Sequence, residues 1–171
     1  MARVQALDAL GPEQAATVLR ACCGASRWVS AMVAERPFET LGTLLAVAEE
    51  IWWALGPDDW MEAFAHHPRI GEQRGAVAQD AQGAAWSAGE QARVAEAATS
   101  VQAELAAVNR EYEARFDHIY IVCAAGKSAE ELLALARARL ANEPEVELRI
   151  AAEEQRKITR LRLEKLFTED A

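Results

Sequence analysis

SAEELLALARARLANEPEVELRIAAEEQRKITRLRLEKLFT, residues 128–168, decides the fold class. Ser128 with Glu131 three residues later is a capping box. The hydroxyl accepts the third residue's backbone N–H, and that residue's carboxylate reaches back to the cap. The helix so opened is expected to end near Asn142. Pro144 then starts a last helix running nearly to the end, at a position where a missing N–H does no harm. Both stretches are rich in strong helix formers, and neither alternates as a half-buried strand would.

The pattern extends upstream. Gly11-Pro12 opens a helix ending near Gly24. Ser26 is expected to cap a second, carrying Trp28, Val29, Met32 and Val33. Arg36-Pro37 stops it, because the residue before proline avoids helical backbone. A third helix spans about Glu39 to Leu55 and closes at Gly56-Pro57. A short fourth carries Trp60, Met61 and Phe64 and ends at His67-Pro68. Residues 71–86 hold three glycines and no strong period, which predicts a long loop, often a functional feature in a compact domain. A long helix follows from Ser87 to about Phe116. The apolar run HIYIVCAA, 118–125, suits either a buried extended segment or a helix, since periodicity does not separate them. The expectation is one all-α domain covering residues 1–171, with about seven to eight helices.

Composition agrees. At 171 residues, 51% apolar and 26% charged, the chain is neither disordered nor collagen-like and has enough length for a substantial core. Lys plus Arg number 18 against 27 Asp plus Glu, a formal net charge of −9. Such a surface repels phosphate backbones, so no nucleic-acid partner is expected, although a local basic pocket could still hold a small anion. No apolar run approaches the ~20 residues that span a bilayer, so no membrane association is expected. MARVQALDALGPEQ lacks a secretory pattern, and TEDA is not a peroxisomal address. Cys22, Cys23 and Cys123 have no zinc spacing and read as reduced core thiols. Cytoplasmic location is the resulting expectation.

Few residues carry chemistry. His67 sits where a helix meets Pro68, with Gly71 freeing the backbone beyond, a suitable place for proton exchange near neutral pH. A surface histidine capping helix carbonyls is the plainer reading of that residue alone. His66 points about 100° away around a helix. Glu62 and His66 share a helical face but are too few for a metal site, so no metal is expected. In WSAGEQ, Ser87 and Glu90 form a capping box; alternatively Glu90 faces His67 or a substrate. On the last helix Arg162 interrupts the stripe of Gln155, Ile158 and Leu166, and a guanidinium there needs an anion, from a substrate carboxylate or an internal acid. Arg156 and Arg160 are expected to pair with Glu153 and Glu164 on the solvated side. Trp28, Trp52, Trp53, Trp60 and Phe64 read as core, whereas Trp86 beside the loop could wall a pocket. Signatures of dinucleotide, nucleoside-triphosphate, serine-hydrolase and zinc-protease chemistry are missing.

Several strings occur together: RPF at 36–38, AFAHHPRIGE at 63–72, SAGEQ at 87–91, VNREYEARFDHIYIVCAAGKS at 108–128 and ELRIAAEEQRKITRLRLEKL at 147–166. The chain resembles the 2-oxo-4-hydroxy-4-carboxy-5-ureidoimidazoline (OHCU) decarboxylases of urate breakdown. The likeness covers nearly the whole chain, and the strings keep the family's order. It implies an all-helical, cofactor-free carboxy-lyase of purine catabolism, acting after urate oxidase and hydroxyisourate hydrolase and yielding (S)-allantoin. By that resemblance His67 of HPxIG and Glu90 of SxxEQ are catalytic. Pro68, Ser87 and Gln91 line the site, Arg162 holds the substrate carboxylate, and backbone near Ile119 to Ile121 contacts the ring and ureido group. A homodimer is the family precedent. One departure is Asp117, where the family usually has glycine; aspartate tolerates positive φ, less readily than glycine does. The competing reading is a non-enzymatic helical binding or scaffold module, which predicts no site joining these groups.

Overall fold

The computed structural model describes residues 2–70 and 99–168. Eight helices and no strand occur among them: α1 (Ala2–Ala9), α2 (Pro12–Arg20), α3 (Ser26–Ala34), α4 (Leu41–Ala54), α5 (Pro57–Ala65), α6 (Thr99–Phe116), α7 (Ala129–Arg139) and α8 (Pro144–Thr168). The all-α expectation holds. The expected loop 71–86, Trp86, and Ser87, Glu90 and Gln91 lie outside the described residues. No helix among the described residues is long and apolar enough to cross a membrane. The chain divides into two compact units, residues 1–63 with 156–171 and residues 64–155.

In the first unit α1 is an element the sequence reading did not anticipate. Val4 and Leu7, three residues apart, are both buried. The signal for its end lay in RPF. Arg36 Nη1 donates to the carbonyls of Leu7 and Leu10 at 2.8 and 2.7 Å, supplying a cation to the helix's unsatisfied C-terminal acceptors. The Asp8 carboxylate in turn accepts from the N–H groups of Phe38 and Glu39. The N-cap of α3 is Ala25, correcting the assignment to Ser26, which is the first helical residue. The capping acceptor comes from α5: Glu62 Oε1 takes the Ser26 N–H at 2.9 Å and its hydroxyl at 2.5 Å. Thr40 caps α4 by accepting the Thr43 N–H.

Helix α3 packs on α2 and α4. Trp28 is fully buried, with its indole N–H on Ala48 O at 3.0 Å, and the Trp52 and Trp60 rings lie 6.1 Å apart. These are core tryptophans, as expected; Trp53 is half-buried with its ring edge-on to Trp60. All three cysteines are free and buried, and burial pushes the Cys23 thiol up to about 11, leaving it inert near neutrality. Arg160 pairs with Glu164 as expected. Arg156 reaches Glu49 on α4 at 3.5 Å, a partner on a neighbouring helix that spacing along α8 does not reveal.

In the second unit α6 contributes Leu105, Val108, Tyr112 and Phe116, spaced as one helical stripe, and packs on Leu132, Leu133 and Ala136 of α7. Truncating a fully buried member such as Leu105 or Leu132 to alanine costs about 2–5 kcal/mol. Asp117 ends α6 at φ 62°, with its N–H on Glu113 O at 2.9 Å. This is the left-handed C-terminal position that glycine normally takes, so the family's glycine and this aspartate answer one backbone demand. The capping box at Ser128 forms as read: Glu131 N–H donates to Ser128 Oγ, and Ser128 N–H to Glu131 Oε2.

Residues 119–124 resolve the open choice. They belong to no helix and no strand, and Tyr120, Val122 and Ala124 enter the α6–α7 core. Ile121 and Cys123 are buried too, so polarity does not alternate along the run. Without a sheet neighbour, buried carbonyls need other donors. Side chains provide them. His118 Nδ1–H donates to Ile119 O at 2.9 Å, Arg139 Nη1 to Ile121 O at 2.7 Å, and Lys127 Nζ to Cys123 O at 3.0 Å.

Candidate functional site

The fourth helix, expected to end at His67-Pro68, stops two residues earlier. Helix α5 finishes at Ala65, and the His67 N–H closes a turn onto Phe64 O at 3.0 Å. Pro68 cannot continue the ladder. His67 is 8% exposed, and its Nε2 lies 2.7 Å from Gln155 Oε1. The next residues are anchored to α6. The Arg69 guanidinium pairs with Glu113 through Nε–Oε1 at 2.5 Å and Nη2–Oε2 at 3.2 Å, and Asn109 Nδ2 donates to Ile70 O at 2.8 Å. Asn109 and Glu113 are four apart, so one face of α6 fixes the backbone that presents the imidazole.

The segment carrying Ile119 and Ile121 is locked by a buried cluster. Glu147, fully buried at the start of α8, accepts from Arg139 Nε at 2.6 Å, Tyr112 OH at 2.5 Å and Asn142 Nδ2 at 2.9 Å. The Arg139 guanidinium lies 4.9 Å from the Tyr120 ring centroid and 5.8 Å from that of Tyr112. Burial, and then the adjacent carboxylate, push the Tyr112 phenol well above its ordinary range, so it acts as a donor throughout the physiological range. Burial alone would lower the pKa of Arg139, but the bond to Glu147 holds it above normal and the ion pair persists. No acceptor among the described residues meets the N–H groups of Ile119 and Ile121, whose carbonyls are already taken.

His118 is a second buried histidine, 9% exposed, with ring centroids of Phe64 and Tyr112 at 5.2 and 5.5 Å. Burial lowers its pKa despite the bond to Ile119 O. Sequence reading passed over it, as it passed over Gln155, Arg139 and Glu147 as functional candidates. Its place with Ile158, Arg162 and Leu166 on one partly apolar face of α8 was the one available signal for Gln155.

In the first unit, Arg162 is 4% exposed on α8, with Nη1 3.5 Å from Ala21 O. Its charge acts on the Cys23 thiol. The same unit has a cleft lined by Leu45, Ala48, Trp52, Thr159 and Leu163 with the Glu49–Arg156 pair and Arg160, which pairs with Glu164; no histidine is among these lining residues. No cluster of three or more His, Cys, Asp or Glu residues suited to a metal occurs among the described residues, and Glu62 is occupied in capping α3.

An all-helical chain that buries an imidazole against an amide just past a helix end defines the class of protein to compare. The chain belongs to the OHCU decarboxylase family, whose family model matches residues 8–164; these are carboxy-lyases of urate degradation. A bifunctional uric acid degradation protein of Arabidopsis thaliana, TTL, is 39% identical over 155 residues, covering 89% of this chain. The chain spans 47% of that relative's length. A crystal structure of an OHCU decarboxylase in the presence of (S)-allantoin matches at 35% identity and TM-score 0.77, covering 90% of this chain and 99% of that one. A crystal structure of (S)-allantoin synthase matches at 18% identity and TM-score 0.71, covering 95% of this chain and 53% of the other, and shows the shared fold.

Proposed function

We propose that this chain converts OHCU to (S)-allantoin by cofactor-independent decarboxylation. The observation that carries the reading is His67: a buried imidazole at a helix end, held by a side-chain acceptor, within the HPRIG string of a chain matched to this family over residues 8–164.

The substrate bears its carboxylate on a carbon that also holds a hydroxyl and adjoins an unsaturated ring carbon. When the carbon–carbon bond to carbon dioxide breaks, its electron pair can spread into that neighbour. The protein must then hold the carboxylate out of the ring plane, manage the hydroxyl proton and deliver a proton to one face. We assign the carboxylate to Arg162, the proton steps to His67, and orientation of imidazole and substrate to Glu90, with Pro68, Ser87 and Gln91 lining the site. Donors for the carbonyl-rich ring come from backbone at Ile119 to Ile121, where two N–H groups lack an acceptor among the described residues. Cytoplasmic location and a homodimer complete the proposal, with no nucleic-acid partner.

The test is optical. Fresh urate is treated with urate oxidase and hydroxyisourate hydrolase, and circular dichroism follows the appearance of (S)-allantoin against the racemate of spontaneous decay. The wild-type chain should accelerate the optically active product. His67→Asn should lose ~10²–10⁴-fold in turnover, the range for a placed acid–base group, with far-UV spectrum unchanged. Arg162→Ala should chiefly raise KM. Near wild-type turnover in His67→Asn would remove that residue from its role.

A further inference from the structure

We infer that Gln155 is a positioning residue for His67, keeping a proton on Nε2 so that Nδ1 is the nitrogen left to exchange one. The inference rests on the reading of His67 as the proton-handling group. Gln155 is fully buried on α8, and its Oε1 lies 2.7 Å from His67 Nε2. A carbonyl oxygen only accepts, so the ring nitrogen facing it must donate. In an imidazole, the hydrogen bond made by one nitrogen decides which of the two carries the proton. Nε2–H therefore directs the lone pair to Nδ1, which becomes the proton acceptor. Both partners are withdrawn from solvent, where an unmatched polar group is costly, so the alternative tautomer would set a lone pair against an oxygen with little water to relieve it.

The chemistry of the partner matters as much as its position. A carboxylate here would also accept from Nε2–H, but it would favour the imidazolium. The amide holds Nε2–H without adding a charge of its own at that nitrogen. The amide is itself held in register. Gln155 is eight residues along α8 from Glu147, ~12 Å of helix rise. Glu147 is fastened to Arg139, Tyr112 and Asn142, which prevents α8 from sliding along its axis near that end.

The experiment reads the proton directly. Long-range 15N–1H spectra distinguish the tautomers, and with only three histidines in the chain the His67 signals are assigned through His67→Asn. In the wild type, His67 should be the Nε2–H form. Gln155→Met, of similar bulk but without an acceptor, should mix or invert the tautomers. It should lower kcat about 10-fold or more, within the ~10²–10⁴ available to the whole acid–base group, with KM less affected. Gln155→Glu, which keeps the acceptor, should retain Nε2–H and shift the acid limb of the pH–rate profile upward. An Nδ1–H tautomer in the wild type, an unchanged tautomer in Gln155→Met, or an unchanged kcat in that variant would each overturn the inference. Full turnover in His67→Asn would instead overturn the functional reading, and catalytic positioning with it. The spectra would still report whether residue 155 sets the tautomer.

Discussion

The stretches 67–70 and 117–124 are both irregular and both carry a buried histidine at or near their start, yet they are held in opposite ways. His67 leans on a neutral amide 88 residues away, and the residues after it are steadied by two side chains of α6. His118 bonds only a step along its own backbone, among aromatic rings, and the segment it opens is gripped by a buried ion pair. The two imidazoles differ little in exposure. One faces an amide oxygen across the fold, while burial lowers the pKa of the other, which donates to its neighbour's carbonyl. Burial alone therefore does not distinguish the two histidines; their partners do.

The sharpest way to break the contrast is at Glu147. Glu147→Ala leaves the Arg139 charge buried and strips an acceptor from Tyr112 and Asn142. Loss of one partner of such a pair should cost about 3–5 kcal/mol, seen as a lowered urea midpoint. Substitution of His67 by asparagine should show the reverse profile, large in turnover and small in stability.

A smaller effect tests His118. Its folded-state pKa lies below the ordinary value, so below pH ~6.5 the unfolded chain takes up a proton that the folded chain refuses. Stability from this group is complete above pH ~6.5 and is lost as pH falls toward the folded-state value. One such proton limits the slope to ~1.4 kcal/mol per pH unit. Urea melts from pH 7 to 5 should slope in the wild type and flatten in His118→Phe, and equal slopes would assign the effect elsewhere. Least of all, Asp117→Gly should relieve the strain of a left-handed aspartate, raising stability by less than ~1 kcal/mol with activity unchanged.

Much of the fold was legible because helix ends announce themselves. Pro12, Pro144 and the Ser128–Glu131 box start helices where local chemistry requires. The failures have equally local causes. Helix α1 is short, and the clamp that marks its end, Arg36, is 26 residues beyond Leu10. The cap of α3 belongs to Glu62, 36 residues away from Ser26. Residues 119–124 offered no period because both faces of the run are buried. At the candidate site His67 stood out through Pro68, whereas Gln155 looked like any polar residue on an amphipathic helix until α8 brought it to the imidazole. Arg139 and Glu147 passed for solvated charges because sequence spacing does not reveal that both are enclosed by Tyr112 and Tyr120.

The donors to Ile119, Ile121 and Cys123 come from three separate side chains and meet every second carbonyl. Side-chain chemistry within the run can accordingly drift while its main chain stays where it is. Adding or deleting a single residue there would shift the run against Arg139, the donor that comes from another helix, so this stretch tolerates a change of letters far better than a change of length.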